Sequence, residues 1–368
     1  MLKKILYIIA VLLAAAAAVF LIVSGRIADP QDPSSGHVAE SDHMRVVTTL
    51  FPLYDMARAI GGTEAEVSLL LPPGVSPHAF EPTPNDMKAI GESDLFVYTG
   101  DFLEPWADRV ISGLGLDDAR VLDASEGVRF LGMEEHGHEH ESEGHEPHEG
   151  DAGLTHDGHA YEDDTDAHDD DHDTSGLDPH LWLDFENTVL MSTRIAEALS
   201  EADPEHAALY AERASEYAMR FIELDQRYRD GLMECRTRTI VYGGHYAFGY
   251  LAHRYDLAYE AAQGFSPDAE PSASELAALV GQVRSLGLSH IFSEALGSPK
   301  IAETIAMETG ASVLELNPAG NLSRDAFESG VTFLEIMESN LEKLETGLGC
   351  HEVADPVSET DGEIGSRI

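Results

Sequence analysis

An acidic, histidine-rich tract at residues 134–176 constrains the fold more than any other feature of the chain. It holds nine of the eighteen histidines and no lysine or arginine. Sequence of this kind cannot bury an apolar core, so we expect a mobile, solvated loop. The tract runs into residues 177–184, which are apolar and aromatic around one histidine and predict ordered structure. The core must therefore come from the sequence on either side of the tract.

The histidines of the tract indicate transition-metal chemistry, because imidazole is a favoured ligand of zinc, copper and nickel. The alternative is a solubilising acidic loop whose histidine content is incidental. If metal chemistry is the reason for this composition, the tract provides low-affinity metal sites. The residues expected to form them are His136, His138, His140, His145, His148, His156, His159, His168 and His172.

The length and charge of the chain restrict its class. Its 368 residues are enough for two ordinary domains, and its net charge is -46. Seventeen acidic residues lie in 134–173, so about -29 of this charge remains on the rest of the chain. Such a surface has little with which to neutralise phosphates, which argues against nucleic acid as a partner. Cations and a high-salt or extracytoplasmic setting fit this charge better.

The N-terminal residues 1–25 predict a membrane-directed segment. Two lysines precede an uncharged apolar run of 19 residues, which is long enough to span a bilayer. The positive end should stay in the cytoplasm, so everything after it would be exported. An uncleaved anchor is favoured over a cleaved signal peptide, and both remain open. No cysteine follows the run, so lipoprotein anchoring is not expected. The next residues, 26–44, are predicted to be a linker.

Short β-branched runs alternate with helical patterns along both halves of the chain. This alternation predicts βα units and mostly parallel sheets. The expected fold class is therefore α/β, with two βα lobes. Strands are expected at 46–51, 67–71, 94–99, 121–122, 239–242, 257–260, 290–293 and 313–316.

A long helix is predicted at 203–234, with Asp203 as its N-cap and Pro204 at its first helical position. Its apolar residues recur at helical spacing, and about 31 residues would extend roughly 45 Å. We interpret this helix as a rigid rod between an N-terminal lobe at 45–201 and a C-terminal lobe at 235–351. The alternative is a helix that lies on the surface of one domain.

The C-terminal part carries the chain's two cysteines, Cys235 and Cys350. An even count in an oxidising compartment predicts one disulfide, with two buried free thiols as the alternative. The bond would close a loop of about 115 residues and contribute on the order of 4–5 kcal/mol in the chain-entropy description. A single final helix is predicted at 324–344, and 352–368 is predicted to be a disordered polar tail.

Three histidines outside the tract occupy comparable places. His78 follows a strand in a proline-rich loop, His180 lies just after the tract, and His245 follows a strand and opens a helix. Ligands bind at the carboxyl ends of strands in α/β sheets, so two facing lobes would bring the three imidazoles into one cleft. Three neutral histidines with an open fourth position form a stable zinc site. The spacings alone are weak evidence, since each histidine has a structural explanation when taken singly.

Six motifs carry a resemblance to a known family. They are PPGVSPHAFEPTPND at 72–86, DPHLWLD at 178–184, HYAFGYLAHRYDL at 245–257, EPSASEL at 270–276, FSEALGSPKIAETIAMETGASVLEL at 292–316 and NPAGN at 317–321. With the histidine-rich insert, they make the chain from about Arg45 to Leu348 similar to the zinc-binding, solute-binding subunit of metal ABC importers, the ZnuA-like group of periplasmic binding proteins. The resemblance implies two βα lobes joined by one long rigid helix, with one metal in the cleft between them.

The resemblance implies that the metal ligands are His78, His180 and His245. Relatives that bind manganese or iron typically carry a carboxylate where His245 stands, so the third imidazole favours zinc. The family often supplies an aspartate in a Leu-Asp-Pro stretch where this chain has Asn317, and some relatives have an acidic residue where Ser76 stands. The fourth position is therefore left to water, to a tract residue or to a nearby side chain. The candidates for a fourth ligand, or for a residue that orients the ligands, are Glu294, Asn317 and Asp178.

Neighbouring residues have expected structural roles. Asp178 is placed to accept a hydrogen bond from His180 or to cap a turn. Trp182, Tyr250 and Phe80 are expected to wall the cleft, although aromatic packing in the core is the default for each. His253 is expected on the surface of a helix.

These features predict capture of zinc outside the cytoplasm rather than catalysis. The loaded protein, a monomer, would deliver the ion to a membrane permease driven by an ATPase subunit. The chain has no HExxH, GxSxG or phosphate-loop motif, which disfavours a zinc hydrolase. The remaining alternatives are the same fold serving manganese or iron, and a zinc buffer or adhesin that works without a transporter. Protonation of the imidazoles would weaken zinc binding below about pH 6.5.

Overall fold

The computed structural model describes residues 43–132, 176–265 and 270–350. The predictions for the N-terminal segment and most of its linker, for the nine histidines of the tract and for the C-terminal tail lie outside these ranges. Among the described residues, no helix combines the length and apolar character that crossing a bilayer requires.

The N-terminal lobe is built on a four-stranded parallel sheet. Its spatial strand order is β2-β1-β3-β4, so β1 and β3 form the centre. Helices on both faces cover this sheet, as expected for βα units. The elements are β1 (Met44–Thr48), α1 (Phe51–Gly61), β2 (Ala65–Leu69), α2 (Pro84–Glu92), β3 (Leu95–Tyr98), α3 (Ala107–Leu114), β4 (Val121–Asp123) and α4 (Phe185–Ala202).

The C-terminal lobe repeats this arrangement after the long helix α5 (Ala207–Gly231). Its four strands are also parallel, in the equivalent order β6-β5-β7-β8. The predicted fold class, two βα lobes with parallel sheets and a helix between them, is confirmed. The elements are β5 (Thr239–Tyr242), α6 (Gly249–Arg254), β6 (Ala258–Ala261), α7 (Ala273–Leu286), β7 (His290–Glu294), α8 (Lys300–Thr309), β8 (Ser312–Leu316), α9 (Arg324–Glu328) and α10 (Phe333–Leu348).

The connecting helix α5 is shorter than predicted. Asp203 is not its N-cap but follows the end of α4, where the carboxylate accepts hydrogen bonds from His206 Nδ1 and Tyr210 Oη. The 25 residues of α5 extend about 37 Å. The helix contacts both lobes: the Tyr217 hydroxyl donates to Asp55 Oδ2 at 3.1 Å, and the Tyr228 hydroxyl donates to Met337 O at 2.6 Å.

Two other boundaries differ from the predictions for a local reason. The strand predicted to continue to residue 51 ends at Thr48, and Phe51 instead begins α1, with proline in the first turn, where its missing N–H has no cost. The single helix expected at 324–344 is two helices. Gly330, with φ 77°, ends the first, and Thr332 begins the second through a reciprocal capping box with Glu335.

A continuous hydrophobic core runs through both lobes and α5, with a smaller cluster on the other face of each sheet. The predicted disulfide is present between Cys235 and Cys350, which joins the chain just after α5 to the end of α10. The two ends of the C-terminal lobe are therefore linked covalently, whereas the described part of the N-terminal lobe has no disulfide.

Candidate metal centre

The structure brings His78, His180 and His245 together between the two lobes. His78 lies in a short 3-10 turn after β2, His180 lies directly before another such turn, and His245 lies in the loop after β5. One ring nitrogen from each lies within 4.8 Å of the others, and this is the metal-competent group found in the described ranges. His245 does not open a helix as predicted, because α6 begins only at Gly249.

Two of these imidazoles form a buried pair. His180 and His245 are 2% and 4% exposed, and their Nε2 atoms lie 3.1 Å apart. The Nδ1 atom of His180 lies 2.8 Å from Asp178 Oδ1, and that of His245 lies 2.8 Å from Glu294 Oε2. An ionised carboxylate only accepts hydrogen bonds, so each Nδ1 carries the proton and each Nε2 presents a lone pair. Two lone pairs directed at each other are the arrangement that a shared cation stabilises.

The electrostatics of the site favour a neutral His180 imidazole and an ionised Glu294 carboxylate. Burial, with the neighbouring His245 second, holds the pKa of His180 well below its usual range, so this imidazole stays neutral and able to bind a cation. Burial raises the pKa of Glu294, but the hydrogen bonds that it accepts from His245 outweigh burial, and the pKa is lowered overall. Glu294 is therefore an ionised acceptor that faces the His245 ring.

The three candidates for the fourth position do not belong to the metal-competent group found in the described ranges, and each makes another contact. Asp178 and Glu294 both lie on the Nδ1 side of a ring, away from the converging Nε2 atoms. The Asn317 side-chain oxygen accepts a hydrogen bond from Ala319 N at 2.8 Å. This bond stabilises a turn in which Ala319 has φ 60°. The geometry assigns these residues to orienting and turn-forming contacts.

A cleft of about 640 Å³ opens from the triad between the lobes. Trp182 lines it, as predicted, and its indole N–H donates to Pro318 O at 2.7 Å. Tyr250 and Phe80 do not line it, which corrects their predicted role. Phe80 packs edge-on against Trp106, and the Tyr250 hydroxyl lies in the core against Asp178 O. The cleft leaves room for a water molecule or another ligand beside the three imidazoles.

Two contributors to the site were missed by the sequence predictions. A Cβ at Gly244 would lie 2.7 Å from Glu294 Oε2, so glycine is what lets this carboxylate approach His245. Asn321 donates from Nδ2 to Pro72 O and Val75 O at 2.8 and 2.7 Å, which holds the His78 loop against the C-terminal lobe. The Gly-Gly pair after a strand was the available signal for the first. Nothing local signals the second, since its partners lie 246 to 249 residues away.

Comparison with known proteins agrees with this architecture. Residues 46–347 match the family described as ZnuA, zinc-uptake complex component A, periplasmic. The zinc-binding protein AdcA of Streptococcus pyogenes serotype M3 is 33% identical over 301 residues, which are 82% of this chain and 55% of AdcA. The chain thus spans about half the length of that relative. The high-affinity zinc uptake system protein ZnuA of Bacillus subtilis is 32% identical over 310 residues, 84% of this chain and 89% of that protein.

Solved structures show the same fold. The Zn(II)-bound ZnuA-like domain of Streptococcus pneumoniae AdcA superposes with a TM-score of 0.64 at 26% identity, covering 83% of this chain and 98% of that domain. The laminin-binding protein Lmb of Streptococcus agalactiae, described as a bifunctional adhesin and metal transporter, gives 0.66 at 29% identity, covering 83% and 100%. The chain therefore belongs to the ZnuA family of periplasmic zinc-uptake components.

Proposed function

We propose that this chain captures Zn²⁺ outside the cytoplasm and delivers it to the permease of an ABC importer. The observation that carries the proposal is the buried pair of Nε2 atoms 3.1 Å apart, each set by a carboxylate on the other side of its ring. A zinc ion bound by His78, His180 and His245 would replace the repulsion between lone pairs with three Zn–N bonds. The names of the relatives AdcA and ZnuA support the same ion.

Zinc is favoured over manganese and iron because the converging donors are all imidazole nitrogens. Manganese prefers harder oxygen ligands, and the carboxylates nearest the triad are engaged with Nδ1 atoms. We assign the fourth position to a water molecule in the cleft or to a residue of the tract 134–176. Neither addition would change the preference, because three nitrogen ligands already suit tetrahedral zinc.

The site is proposed to carry its ion rather than to use it in catalysis. The carboxylates of Asp178 and Glu294 accept hydrogen bonds from the Nδ1–H groups, away from the Nε2 atoms that would bind zinc, so neither is placed as a general base beside a zinc-bound water. The α5 helix contacts both lobes, which favours small tilts of the lobes over wide closure. The loaded monomer would dock on the permease, which an ATPase subunit drives, while residues 1–25 hold the chain at the membrane.

A chelator-competed zinc titration of the full chain tests the proposal. We expect one tight site, which His180→Ala abolishes and His253→Ala leaves unchanged, since His253 is an exposed histidine on α6. Manganese and iron at equal free concentration should not displace the zinc. A tight site that survives His180→Ala, or one that prefers manganese, would contradict the proposal.

The tract requires a separate test, because its nine histidines add weak sites to any titration. Deletion of 134–176 should leave the tight site in place and remove the weak ones. In cells with scarce zinc, the deletion should slow uptake if the tract collects the ion near the cleft. Unchanged uptake would remove that role without affecting the proposed function of the cleft.

A further inference from the structure

The short helix α6 is the element that joins the two buried histidines. It begins four residues after His245, so its position is tied to that ligand. Tyr250 and Arg254 are four residues apart and therefore lie on one face of the helix. Both side chains contact the part of the N-terminal lobe that carries His180. Tyr250 contacts it before His180, and Arg254 contacts it after His180.

Tyr250 holds the segment before His180. Its hydroxyl donates to Asp178 O at 3.2 Å and accepts from Leu131 N at 3.1 Å, and Asp178 N donates to Leu131 O at 3.0 Å. Tyr250 is 1% exposed, so these bonds form without competition from water. Because Asp178 also sets the orientation of the His180 ring, the hydroxyl acts on the residue that aims the ligand.

Arg254 holds the segment after His180. Its guanidinium contacts Asp184 Oδ1 at 2.8 Å, and Asp184 in turn caps the first turn of α4. The same guanidinium contacts Asp225 Oδ1 on α5 at 2.7 Å, which adds the connecting helix to the network. The Arg254 side chain is 8% exposed, so its two strong ion pairs are shielded from solvent.

We propose that Tyr250 and Arg254 are positioning residues that fix His180 opposite His245 before a metal ion arrives. This inference rests on the proposed function only in that zinc is the ion bound. The physical need is clear: two imidazole lone pairs 3.1 Å apart repel each other, and an unconstrained pair would separate. The two contacts of α6 resist that separation, because moving His180 would break hydrogen bonds on both sides of it.

The consequence is preorganisation. When the scaffold already holds the donors together, zinc binding does not have to supply the free energy of assembling them. A chain without the Tyr250 hydroxyl should let the pair relax apart, so that zinc binds more weakly and leaves faster. The geometry offered to the metal should also become less tetrahedral, which is a change that loss of stability alone does not produce.

The test compares Tyr250→Phe with Tyr228→Phe in the full chain. Tyr228 is a matched control, because its buried hydroxyl also donates to a backbone carbonyl, that of Met337, and it does not line the cleft. We expect Tyr250→Phe to lower zinc affinity about tenfold, the lower end of the effect seen for groups that orient metal ligands. Its Co²⁺ complex should lose intensity in the visible bands that report tetrahedral coordination. Tyr228→Phe should change neither, although both variants lower the unfolding free energy.

A second variant keeps the test decisive if Tyr250→Phe folds poorly. Asp184→Asn removes the charge that Arg254 contacts while retaining a residue that caps α4. It should weaken zinc binding and change the Co²⁺ spectrum in the same direction. Equal affinities and spectra for these variants and Tyr228→Phe would overturn the inference. Absence of a tight zinc site in the unsubstituted chain would instead overturn the proposed function.

Discussion

The two lobes share a strand order, and each places a carboxylate at or just after the carboxyl end of its third strand, but the partners of the two carboxylates differ. Glu104 follows β3, is 2% exposed, and accepts from Thr99 N. Burial is the main reason that its pKa is raised to about 7. Glu294 ends β7 and accepts from the His245 ring, and its pKa is lowered.

The difference shows what keeps a desolvated carboxylate ionised, so that it can orient an imidazole ring. An imidazole N–H within hydrogen-bonding distance offsets the desolvation of the charge, so the carboxylate stays ionised and orients the ring. The uncharged donors of Thr49 and Thr99 do not offset the burial of Glu104, which is left close to half-protonated at neutral pH. The same lobe architecture therefore gives Glu294, which orients an imidazole, and Glu104, whose ionisation destabilises the fold.

The largest expected effect concerns the covalent difference between the lobes. Replacing Cys235 and Cys350 by serine should lower the unfolding free energy by about 4–5 kcal/mol, because the bond spans 115 residues. Urea unfolding measures the loss, and hydrogen exchange locates it. Exchange should accelerate in β5–β8 and remain slow in β1–β4. Equal acceleration in both sheets would show that the lobes unfold as one unit.

The raised pKa of Glu104 predicts a pH-dependent stability of the metal-free chain. The folded state retains the Glu104 proton from about pH 4.5 to 7, whereas the unfolded state has lost it, so the stabilisation is present at low pH and is lost as pH rises through 7. Between pH 5 and pH 8 this group alone should cost about 2.5 kcal/mol. Urea unfolding at both pH values should show that Glu104→Gln removes this part of the decline. An identical decline in the variant would refute the assignment.

The two carboxylates should also differ in their effect on zinc affinity. Glu294→Gln keeps the shape but removes the charge behind His245, and we expect zinc affinity to fall by about 10- to 100-fold. Glu104→Gln is the matched control on the other lobe and should leave affinity unchanged. Chelator competition at pH 7.5 measures both. A loss with Glu104→Gln would mean that the N-terminal lobe transmits strain to the site and that the lobes are not independent.

The fold class could be predicted from local patterns, and the triad from motifs that resemble those of a known family. Alternating β-branched and amphipathic segments indicated the parallel lobes, and motifs surrounded each of the three histidines. Helix boundaries were predicted less well: Asp203-Pro204 has the composition of a helix start, yet the Asp203 carboxylate accepts hydrogen bonds from His206 and Tyr210, three and seven residues later, and α5 begins only at Ala207.

The orienting contacts were harder to predict because they depend on packing between distant segments. Asp178 is two residues from His180, so its contact was anticipated as one of two possibilities. Glu294 meets His245 across 49 residues, and Tyr250 meets Asp178 across 72. No periodicity or spacing encodes such pairs. Tyr250 was assigned to the cleft wall for this reason, since its aromatic character was visible and its hydroxyl partner was not.

The smallest expected effect concerns Asn317, one of the candidates for the fourth ligand. In Asn317→Asp the new carboxylate can still accept from Ala319 N, so the turn should persist and the unfolding free energy should change little. The added negative charge lines the cleft and should raise zinc affinity, but by less than tenfold, because its oxygen stays committed to the turn. Chelator competition measures the gain, and the Co²⁺ spectrum reports whether the coordination changes. A gain of a hundredfold with a new spectrum would mean that the carboxylate leaves Ala319 and binds the metal. The C-terminal lobe would then supply a second metal ligand. Its carboxylates would differ from Glu104 not only by orienting an imidazole but also by binding the ion directly.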